Sequence, residues 1–447
     1  MRGIGGKLHV ALALAVSVML ATFLPRAAAA GPPDVGQLPA PATASASTTA
    51  TSVPPPSQDP FYRYTGPTPL GRIPPGTPLR ERSVTLGLGT NQTPLPAKQI
   101  LYRTTDATGN AVASVTTVVL PAGGTVDAKV VAYLSFYDAL GSQCDPSYTL
   151  RGGNPGAANE QNAQVEQGVI NSLHQDGYIV TVPDFEDETL DYVAGTESGM
   201  SSLDGIRATL TALALARSTP VGLMGYSGGS IASDWASELA PQYAPRLRLI
   251  GVAEGGVPVD LAHNLAYVNG SPSWSDVIPA AMIGISRSYH LDLTPYLSAY
   301  GRKVVAAESN ECIGQFLGAY PHLTLQEIMK PQYADITQVP VFRNIMNQLI
   351  MGSVPGHPRE PLLMVAGKSD GTGDGVMVEG DEQQLAYEYC HQGVPVSFQE
   401  LQGMNHDQAG AAFMPQAFAY LAARFAGAPP PSNCPLIPPA NPLTPSS

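Results

Sequence analysis

The chain has 447 residues, of which only 13% are charged and 44% are hydrophobic, and it contains 45 Gly and 43 Pro. So few charges and so many helix-breaking residues exclude coiled coils and long charged helices, while the apolar share is sufficient for a folded core. Lys and Arg number 23 against 36 Asp and Glu, which gives a formal net charge of −13. The sequence has no visible basic stripe that could neutralise phosphates, so a nucleic-acid partner is not expected.

The first 30 residues have the pattern of a secretory signal peptide. Arg2 and Lys7 precede an apolar run at 10–24, and three alanines at 28–30 offer a cleavage site. A membrane anchor is the alternative, but the run has about 15 residues, whereas a spanning helix needs about 20. We therefore expect residues 1–30 to be removed and the mature protein to be secreted into the extracellular space.

The segment at 31–56 is rich in Pro, Ala, Ser and Thr and predicts a tether that cannot bury a core. The folded domain is predicted at 57–435, followed by a Pro-rich tail at 436–447. This domain opens with an antiparallel set of three strands, because β-branched and apolar residues alternate with turn-forming segments. The three strands are predicted at 83–88, 99–105 and 113–120.

Beyond this start, predicted strands alternate with predicted helices. The strands are expected at 129–136, 178–182, 220–226, 247–253, 361–366 and 394–401. The helices are expected at 160–175, 200–217, 228–239, 382–391 and 409–425. This alternation indicates βαβ units around a parallel sheet and predicts the α/β fold class.

The alternation stops between 257 and 354. Short helical pieces at 325–329 and 342–351 are separated there by Gly and Pro, with no clear strand. An insertion of this size within an α/β domain usually covers its active face. The sequence therefore predicts a mostly helical cap at about 257–354.

Four cysteines lie in the exported part of the chain: Cys144, Cys312, Cys390 and Cys434. An even number in an oxidising compartment predicts two disulfides, for which sequence alone allows three connectivities. Their spacings are too wide for a compact zinc site, and no pair of histidines at metal-binding spacing lies near them. We therefore expect no metal site.

One serine lies in the sequence Gly225-Tyr226-Ser227-Gly228-Gly229, directly after a predicted strand and directly before a predicted helix. A nucleophilic serine is raised clear of the sheet on such a turn, which requires small residues two positions away on either side. The backbone N–H of Gly228 would then lie at a helix N-terminus, where it can donate to an oxyanion. Although the five-residue motif alone is weak in a glycine-rich chain, its strand and helix context indicates that Ser227 is a catalytic nucleophile.

A hydrolase with this turn needs an acid and a histidine after the serine, in that order. Only His391 and His406 follow both the serine motif and the strand at 361–366. His391 lies in the last turn of a predicted helix, where a histidine commonly serves as a cap. We favour His406 as the base, because it follows the last predicted strand on a loop.

The acid has two candidates, Asp370 and Asp374, which follow the strand at 361–366 and are separated by four residues. The register of the strand favours Asp370, whereas the distance to the following helix favours Asp374. We give more weight to the strand register and therefore prefer Asp370, with the other aspartate in a structural role.

A second oxyanion donor is expected in the loop after the strand at 129–136. That loop reads Tyr137-Asp138-Ala139-Leu140-Gly141. Spacing alone does not distinguish it from an ordinary surface turn.

Several longer blocks resemble one known family. They are YDALGSQCDPSY at 137–148, GMSSLDGIRA at 199–208, GYSGGSIASDWASELAPQYAP at 225–245 and EGGVPVD at 254–260. In this order they resemble the secretory lipase family of fungi and actinobacteria, the group of the yeast lipase A type. The resemblance extends from about residue 60 to 435.

The resemblance implies an α/β-hydrolase fold with a mobile cap and the hydrolysis of triacylglycerols and other carboxylic esters. Ser227 is similar to the family's nucleophile, His406 to its base, and Asp138 with Gly228 to its backbone oxyanion donors. It also implies the disulfides Cys144–Cys312 and Cys390–Cys434. The acid loop departs from the family pattern by about four additional residues, GTGD, so the choice between Asp370 and Asp374 stays open.

We hypothesise a secreted, cofactor-free serine hydrolase of carboxylic esters, in first place a triacylglycerol lipase acting through an acyl-enzyme. An acyltransferase or a short-chain carboxylesterase could use the same residues, and a peptidase and a non-catalytic binding module are less favoured alternatives. The expected partners are a lipid or small ester substrate and a lipid interface contacted by the cap. The protein is expected to be a monomer.

Overall fold

The computed structural model describes residues 53–87, 94–121, 124–125, 127–153 and 160–445. The predicted signal peptide, and the tether up to residue 52, lie outside these residues. The described chain is built around a nine-stranded mixed sheet with the strand order β1-β2-β3-β5-β4-β6-β7-β8-β9. Its strands are β1 Pro78–Leu86, β2 Leu95–Thr105, β3 Ala111–Val119, β4 Val130–Leu134, β5 Ile179–Pro183, β6 Pro220–Tyr226, β7 Arg248–Gly255, β8 Leu362–Lys368 and β9 Val396–Gln402.

The sheet changes from antiparallel to parallel along its width. β1, β2, β3 and β5 pair antiparallel, whereas the neighbours from β5 through β4 to β9 pair parallel. This is the predicted antiparallel start followed by a parallel α/β sheet. β1 begins five residues before its predicted start because it is an edge strand whose residues are mostly half-buried or exposed, so hydrophobic periodicity gives little signal there.

Twelve α-helices are present in the described residues. They are α1 Pro146–Thr149, α2 Glu160–Gln175, α3 Gly195–Ala212, α4 Gly228–Tyr243, α5 Leu261–Val268, α6 Val277–Ser288, α7 Ala299–Glu308, α8 Ile313–Phe316, α9 Leu325–Ile328, α10 Pro340–Gln348, α11 Glu379–His391 and α12 His406–Phe425. Helices α5 to α10 all lie between β7 and β8, in the segment at 257–354, which we call the cap.

The sheet is covered on both faces, because alternate residues of each strand belong to different cores. Val130, Ala132 and Leu134 of β4 join the core that includes α3, α4, α11 and the cap. Val131 and Tyr133 of the same strand join the core that includes α2 and α12. The result is three layers, with the cap added to the side of α3, α4 and α11.

Helix α3 begins at Gly195 and ends at Ala212, whereas the sequence pattern placed it at 200–217. Its first turns contain glycines that hydrophobic periodicity does not favour, but packing against α4 requires them. A Cβ at Gly195 would lie 2.0 Å from Trp235 Nε1, and one at Gly199 would lie 2.7 Å from the Trp235 carbonyl carbon. The helix ends early because Ala214 has a positive φ of 51°, which a helix cannot include.

Both disulfides implied by the family resemblance are present. Cys144 is bonded to Cys312, which ties the segment after β4 to the cap, and Cys390 is bonded to Cys434, which ties α11 to the segment that follows α12. In the described parts of the chain, no helix is both long enough and apolar enough to cross a membrane.

Candidate active site

Ser227 lies on the sharp turn between β6 and α4. Its φ is 55° and its ψ is −122°, a conformation that is strained for a residue with a side chain. The turn fits only because the residues two positions before and after Ser227 are glycines: a Cβ at Gly225 would lie 2.1 Å from the Gly229 carbonyl oxygen, and one at Gly229 would lie 2.1 Å from the Leu134 carbonyl oxygen. The Ser227 side chain is thereby held above the carboxyl ends of β4 and β6.

His406 is the residue that faces this serine. Its Nε2 lies 2.8 Å from Ser227 Oγ, and its side chain is buried. The sequence placed His406 on a loop, but it is the first residue of α12. Asn405 caps the helix by accepting a hydrogen bond from the Gln408 backbone, and the Gln408 side chain accepts one from the Asn405 backbone in return.

Asp374, and not Asp370, completes the arrangement. Asp374 Oδ2 lies 2.7 Å from His406 Nδ1, and the Asp374 carbonyl accepts a hydrogen bond from the His406 backbone. Asp374 Oδ1 accepts hydrogen bonds from the Val376 and Met377 backbone N–H groups. The carboxylate is therefore fixed on both of its oxygens.

The exposed Asp370 has a different set of partners, and the preference for it from the strand register is not supported. Its Oδ1 accepts hydrogen bonds from the Thr372 and Gly373 backbones, and its Oδ2 accepts one from the Tyr267 hydroxyl of the cap. The chain turns tightly after β8, so the second aspartate and not the first comes to lie beside His406. Asp370 shapes this turn and joins it to α5.

The electrostatics of His406 follow from its burial and its partner. Burial lowers the pKa of His406, but the nearby Asp374 charge and its hydrogen bond outweigh that effect and raise the pKa above the usual value. The pair therefore favours an imidazole whose Nδ1–H donates a hydrogen bond to the Asp374 carboxylate and whose Nε2 is free to accept a proton from Ser227.

Gly228 and Asp138, the two residues expected to supply oxyanion donors, lie beside each other next to Ser227. Gly228 is the first residue of α4, so its backbone N–H has no acceptor within the helix. Asp138 follows β4 with a positive φ of 39°. Its neighbour Ala139 donates from the backbone to Glu186 Oε2 at 2.9 Å, which fixes the loop.

The Asp138 carboxyl is buried against the same site. A Cβ at Gly228 would lie 1.7 Å from Asp138 Oδ1, so only glycine fits beside this carboxyl. Burial raises the pKa of Asp138 to about 7, and the charge of His406 lowers it only in part. The carboxyl is therefore able to change charge next to the proposed oxyanion site near neutral pH.

An apolar pocket opens beside Ser227 and is lined jointly by the core and the cap. Ser227, Gly228 and Ile231 line its core side. Its other walls are Tyr192, Val193, Pro258, Leu261, Asn264, Leu265, Val268, Val277, Ala281, Val376 and Met377. This lining suits a hydrocarbon chain.

Two aromatic residues next to His406 were not found by sequence reasoning. The Tyr226 hydroxyl donates to the His406 carbonyl at 2.6 Å, and the Trp274 ring of the cap makes an edge contact with the imidazole, with centroids 5.2 Å apart. Tyr226 lies within the serine motif, and Trp274 is one of two tryptophans in the chain, but neither feature indicates such a contact.

His391, the alternative base, is exposed at the end of α11 with its Nδ1 by the Tyr387 carbonyl.

A family model described as secretory lipase matches residues 155–433. A secreted triacylglycerol lipase of Malassezia globosa is 33% identical over 329 residues, which are 70% of this chain and 70% of that protein. A Mycobacterium tuberculosis protein named as a probable inactive lipase is 32% identical over 394 residues, which are 84% and 83% of the two chains.

The solved structures agree with the sequence matches. The closed state of Candida antarctica lipase A has a TM-score of 0.79 at 28% identity and covers 89% of this chain and 93% of its own. This match confirms the predicted α/β-hydrolase fold. Because the family model covers more than half of the chain, the chain belongs to the secretory lipase family.

Proposed function

We propose that the protein is a secreted carboxylic ester hydrolase, in first place a triacylglycerol lipase, with the catalytic triad Ser227, His406 and Asp374. The observation that carries this proposal is that the His406 ring makes a hydrogen-bond contact on each side. Its Nδ1 lies 2.7 Å from Asp374 Oδ2, and its Nε2 lies 2.8 Å from Ser227 Oγ. The contacts end at the apolar pocket beside the serine. The nucleophile and the base thus lie next to a surface that can bind an acyl chain.

In the first half of the reaction, Ser227 Oγ attacks the ester carbonyl while His406 Nε2 takes the hydroxyl proton. Asp374 keeps the imidazole oriented and stabilises its positive charge. The oxygen of the tetrahedral intermediate accepts hydrogen bonds from the Gly228 and Asp138 backbone N–H groups. His406 then returns the proton to the leaving alcohol, and an acyl-enzyme on Ser227 remains.

The second half repeats these steps with water. His406 takes a proton from water, which attacks the acyl carbonyl, and the same two N–H groups stabilise the second intermediate. Collapse of this intermediate releases the carboxylic acid and returns the proton to Ser227. Apart from the ester and water, these proton transfers use only Ser227 and His406.

The nature of the substrate follows from the pocket and from the family. The Malassezia relative is named as a triacylglycerol lipase, and the pocket beside Ser227 is lined mainly by aliphatic side chains of core and cap. We expect ester hydrolysis to rise sharply above the solubility limit in a series of esters of increasing chain length. A preference for short soluble esters would instead make the protein a carboxylesterase, and dominant transfer to an added alcohol would make it an acyltransferase.

Replacing the nucleophile tests the catalytic proposal. Ser227→Ala should abolish hydrolysis of a chromogenic acyl ester, and a serine-reactive phosphonate should label the natural chain at Ser227 only. This control matters because one relative is named as a probable inactive lipase. Retained hydrolysis in folded Ser227→Ala, or no labelling of the natural chain, would contradict the proposal.

The two aspartates provide a matched pair for the acid. Asp374→Asn should lower kcat by on the order of 10³–10⁴, because the imidazole loses the carboxylate that holds its tautomer. Asp370→Asn should change kcat by less than roughly tenfold, since the hydrogen bonds to the Asp370 carboxylate come from the turn and from Tyr267. Equal losses in the two variants would show that the acid has been assigned to the wrong residue.

The surroundings of the enzyme are also part of the proposal. We infer that the chain acts as a monomer and that the cap contacts the lipid interface. The cap supplies pocket walls such as Leu265, Val277 and Ala281, so a lipid surface at the cap would adjoin the site. Light scattering of the purified protein, and flotation with neutral lipid vesicles, would test these two statements separately.

A further inference from the structure

The loop that carries Asp138 is held by the cap as well as by the core. It comprises residues 137–141, which follow β4, and we call it the oxyanion loop because the proposed function assigns the Asp138 backbone N–H to the oxyanion. Asp138 lies beside Gly228, the other proposed donor: a Cβ at Gly228 would lie 1.7 Å from Asp138 Oδ1. The position of this loop therefore decides whether both N–H groups can reach one oxygen.

Asp138 has a backbone conformation that its surroundings must enforce. Its φ of 39° lies in the left-handed region, which is unfavourable for a residue with a side chain. Its N–H donates to no backbone oxygen within the described parts of the chain, so no such hydrogen bond of its own fixes the direction of this group. A strained residue keeps its conformation only where the structure around it holds it. The direction of the Asp138 N–H therefore depends on the contacts of its neighbours in the loop.

The core supplies one set of these contacts through Glu186, which follows β5. The Ala139 backbone donates to Glu186 Oε2 at 2.9 Å, and the Tyr137 hydroxyl accepts a hydrogen bond from the Glu186 backbone at 2.7 Å. The Tyr137 ring also makes an edge contact with Phe185, with centroids 5.0 Å apart. Glu186 thus holds the residues on either side of Asp138.

The cap supplies a second set of contacts to the same loop. The Leu140 backbone N–H donates to the Glu311 carbonyl at 3.0 Å, and the Leu140 carbonyl accepts a hydrogen bond from Arg287 Nη1 at 3.1 Å. Ala139 forms an isolated antiparallel bridge with Cys312, which is itself disulfide-bonded to the chain just after the loop. The N–H and the carbonyl of Leu140 are therefore both bound by residues of the cap.

Arg287 of α6 joins the oxyanion loop to two further segments. Its guanidinium also donates to the Leu190 carbonyl at 3.2 Å and to the Ser309 carbonyl at 2.6 Å. Leu190 precedes the pocket residues Tyr192 and Val193, and Ser309 follows α7. A planar guanidinium has five N–H donors in a fixed arrangement, so it can bind three carbonyl groups at once. Arg287 thus fixes the oxyanion loop relative to the pocket wall and the cap.

On the basis of the proposed ester hydrolysis at Ser227, we propose that Arg287 is a positioning residue, which holds the Asp138 N–H in place through its hydrogen bond to Leu140. Without Arg287, the Leu140 carbonyl loses a charged donor, and Asp138 is free to relax towards a negative φ. The Asp138 N–H then turns away from the oxygen that becomes negative in the tetrahedral intermediate. The cap in this way contributes to the stabilisation of the oxyanion as well as to the pocket walls.

Kinetics of the full secreted chain with Arg287→Met test the proposal, because methionine keeps an unbranched side chain and removes every donor. For a chromogenic acyl ester, kcat should fall by on the order of ten- to a hundredfold, less than the roughly 10²–10³ that removal of an oxyanion donor itself costs. KM should change by less than about threefold, since the interaction is made in the transition state. A long-chain trifluoromethyl ketone, which forms a tetrahedral adduct with serine, should bind more weakly by the same factor as kcat falls.

Two further variants separate this role from a general effect on the cap. Arg287→Lys keeps the positive charge but replaces the planar group by one ammonium, so it should lower kcat at unchanged KM even where Arg287→Met does not fold. Arg302→Met is the matched control, because Arg302 of α7 donates to the Leu297 carbonyl at 3.0 Å, within the cap. Its kcat should stay within about twofold of that of the unmodified chain. Thermal unfolding of each variant shows whether it is folded under the assay conditions.

Hydrolysis by the unmodified chain distinguishes failure of this proposal from failure of the proposed function. An unmodified chain without esterase activity would overturn the proposed function, and the role of Arg287 with it. With an active unmodified chain, unchanged kcat in folded Arg287→Met or Arg287→Lys, or a change confined to KM, would overturn the role of Arg287 alone. An equal loss of kcat in Arg302→Met would do the same, because it would show that any disturbance of the cap lowers turnover.

Discussion

The carboxyl of Asp138 is a residue-scale feature that should affect catalysis. It is packed against Gly228, and its pKa is raised to about 7 by burial. Above that pH the carboxyl becomes negative beside the site where we propose that an oxyanion forms. The negative charge should oppose the oxyanion, whereas the neutral acid below pH 7 should not.

Asp138→Asn tests this effect because it keeps the backbone N–H and removes the titrating group. The ratio of kcat/KM in the variant to that in the unmodified enzyme should increase by on the order of tenfold from pH 6 to pH 9. Asp370→Asn is a suitable control, since Asp370 is exposed and faces the turn after β8. A constant ratio for Asp138→Asn across this range would show that the charge of Asp138 has no effect on turnover.

The residue scale also shows where sequence reasoning was sufficient and where it was not. Ser227 could be singled out because glycine on both sides of a strand-to-helix turn is a steric requirement that the sequence displays directly. Asp370 and Asp374 could not be separated, because both follow the same strand and the choice depends on the path of the intervening turn. That path is set by hydrogen bonds to Asp370 and by the cap residue Tyr267, which lies about a hundred residues away in the sequence.

At the scale of elements, one contact between the cap and the core contains a titratable group. His263 of α5 places its Nδ1 3.0 Å from Asp381 Oδ2 of α11, and Asp260 lies 3.8 Å from the same ring atom. The hydrogen bond to Asp381 raises the pKa of His263, against the opposing effect of burial. The protonated histidine thus joins the cap to the helix that follows the acid loop.

The pH dependence of this contact has a definite sign. A histidine whose pKa is higher in the folded protein stabilises it below its ordinary pKa of about 6.5, and the stabilisation disappears as the pH rises through the folded value. His263→Gln should therefore lower the thermal midpoint more at pH 5.5 than at pH 8.5. His391→Gln, at the exposed end of α11, should lower it equally at both values. If His263→Gln had the same effect at both pH values, the contact would not involve a charged histidine.

The ends of elements were harder to predict than the elements themselves. The sequence pattern placed the last helix at 409–425, but Asn405 and Gln408 cap it so that it begins at His406. Periodicity detects the buried face of a helix, and the polar first turn carries no such signal. Here the turn that periodicity omits contains His406, so the predicted start of the helix excluded the histidine of the candidate site.

At the scale of the whole molecule, alternating strands and helices were sufficient to predict the α/β class and the helical segment between β7 and β8. The excess of acids was visible too, but its location was not. Many carboxyl groups are buried and not on the surface, including those of Asp234, Glu254, Glu360 and Glu382. Composition reports charge and gives no information about burial, so these groups could not be foreseen.

Buried carboxyl groups give the whole molecule a predictable pH dependence. Burial raises the pKa of Glu360 to about 7, and it raises the pKa of Glu166 to about 7 as well. The folded protein therefore holds these protons at pH values where the unfolded chain has already released them. Their contribution to stability is fully present below the ordinary pKa of 4.5 and is lost as the pH rises to about 7.

Unfolding by urea should accordingly show a larger free energy of unfolding at pH 5 than at pH 8. Glu360→Gln replaces the buried acid by a neutral group of the same shape and should reduce this difference by about 3 kcal/mol or less. Glu81→Gln alters a partly exposed acid that pairs with Lys98 and should leave the difference within roughly 0.5 kcal/mol of its original value. If stability increased from pH 5 to pH 8 in the unmodified chain, the buried carboxyl groups would have to be ionised in the folded state.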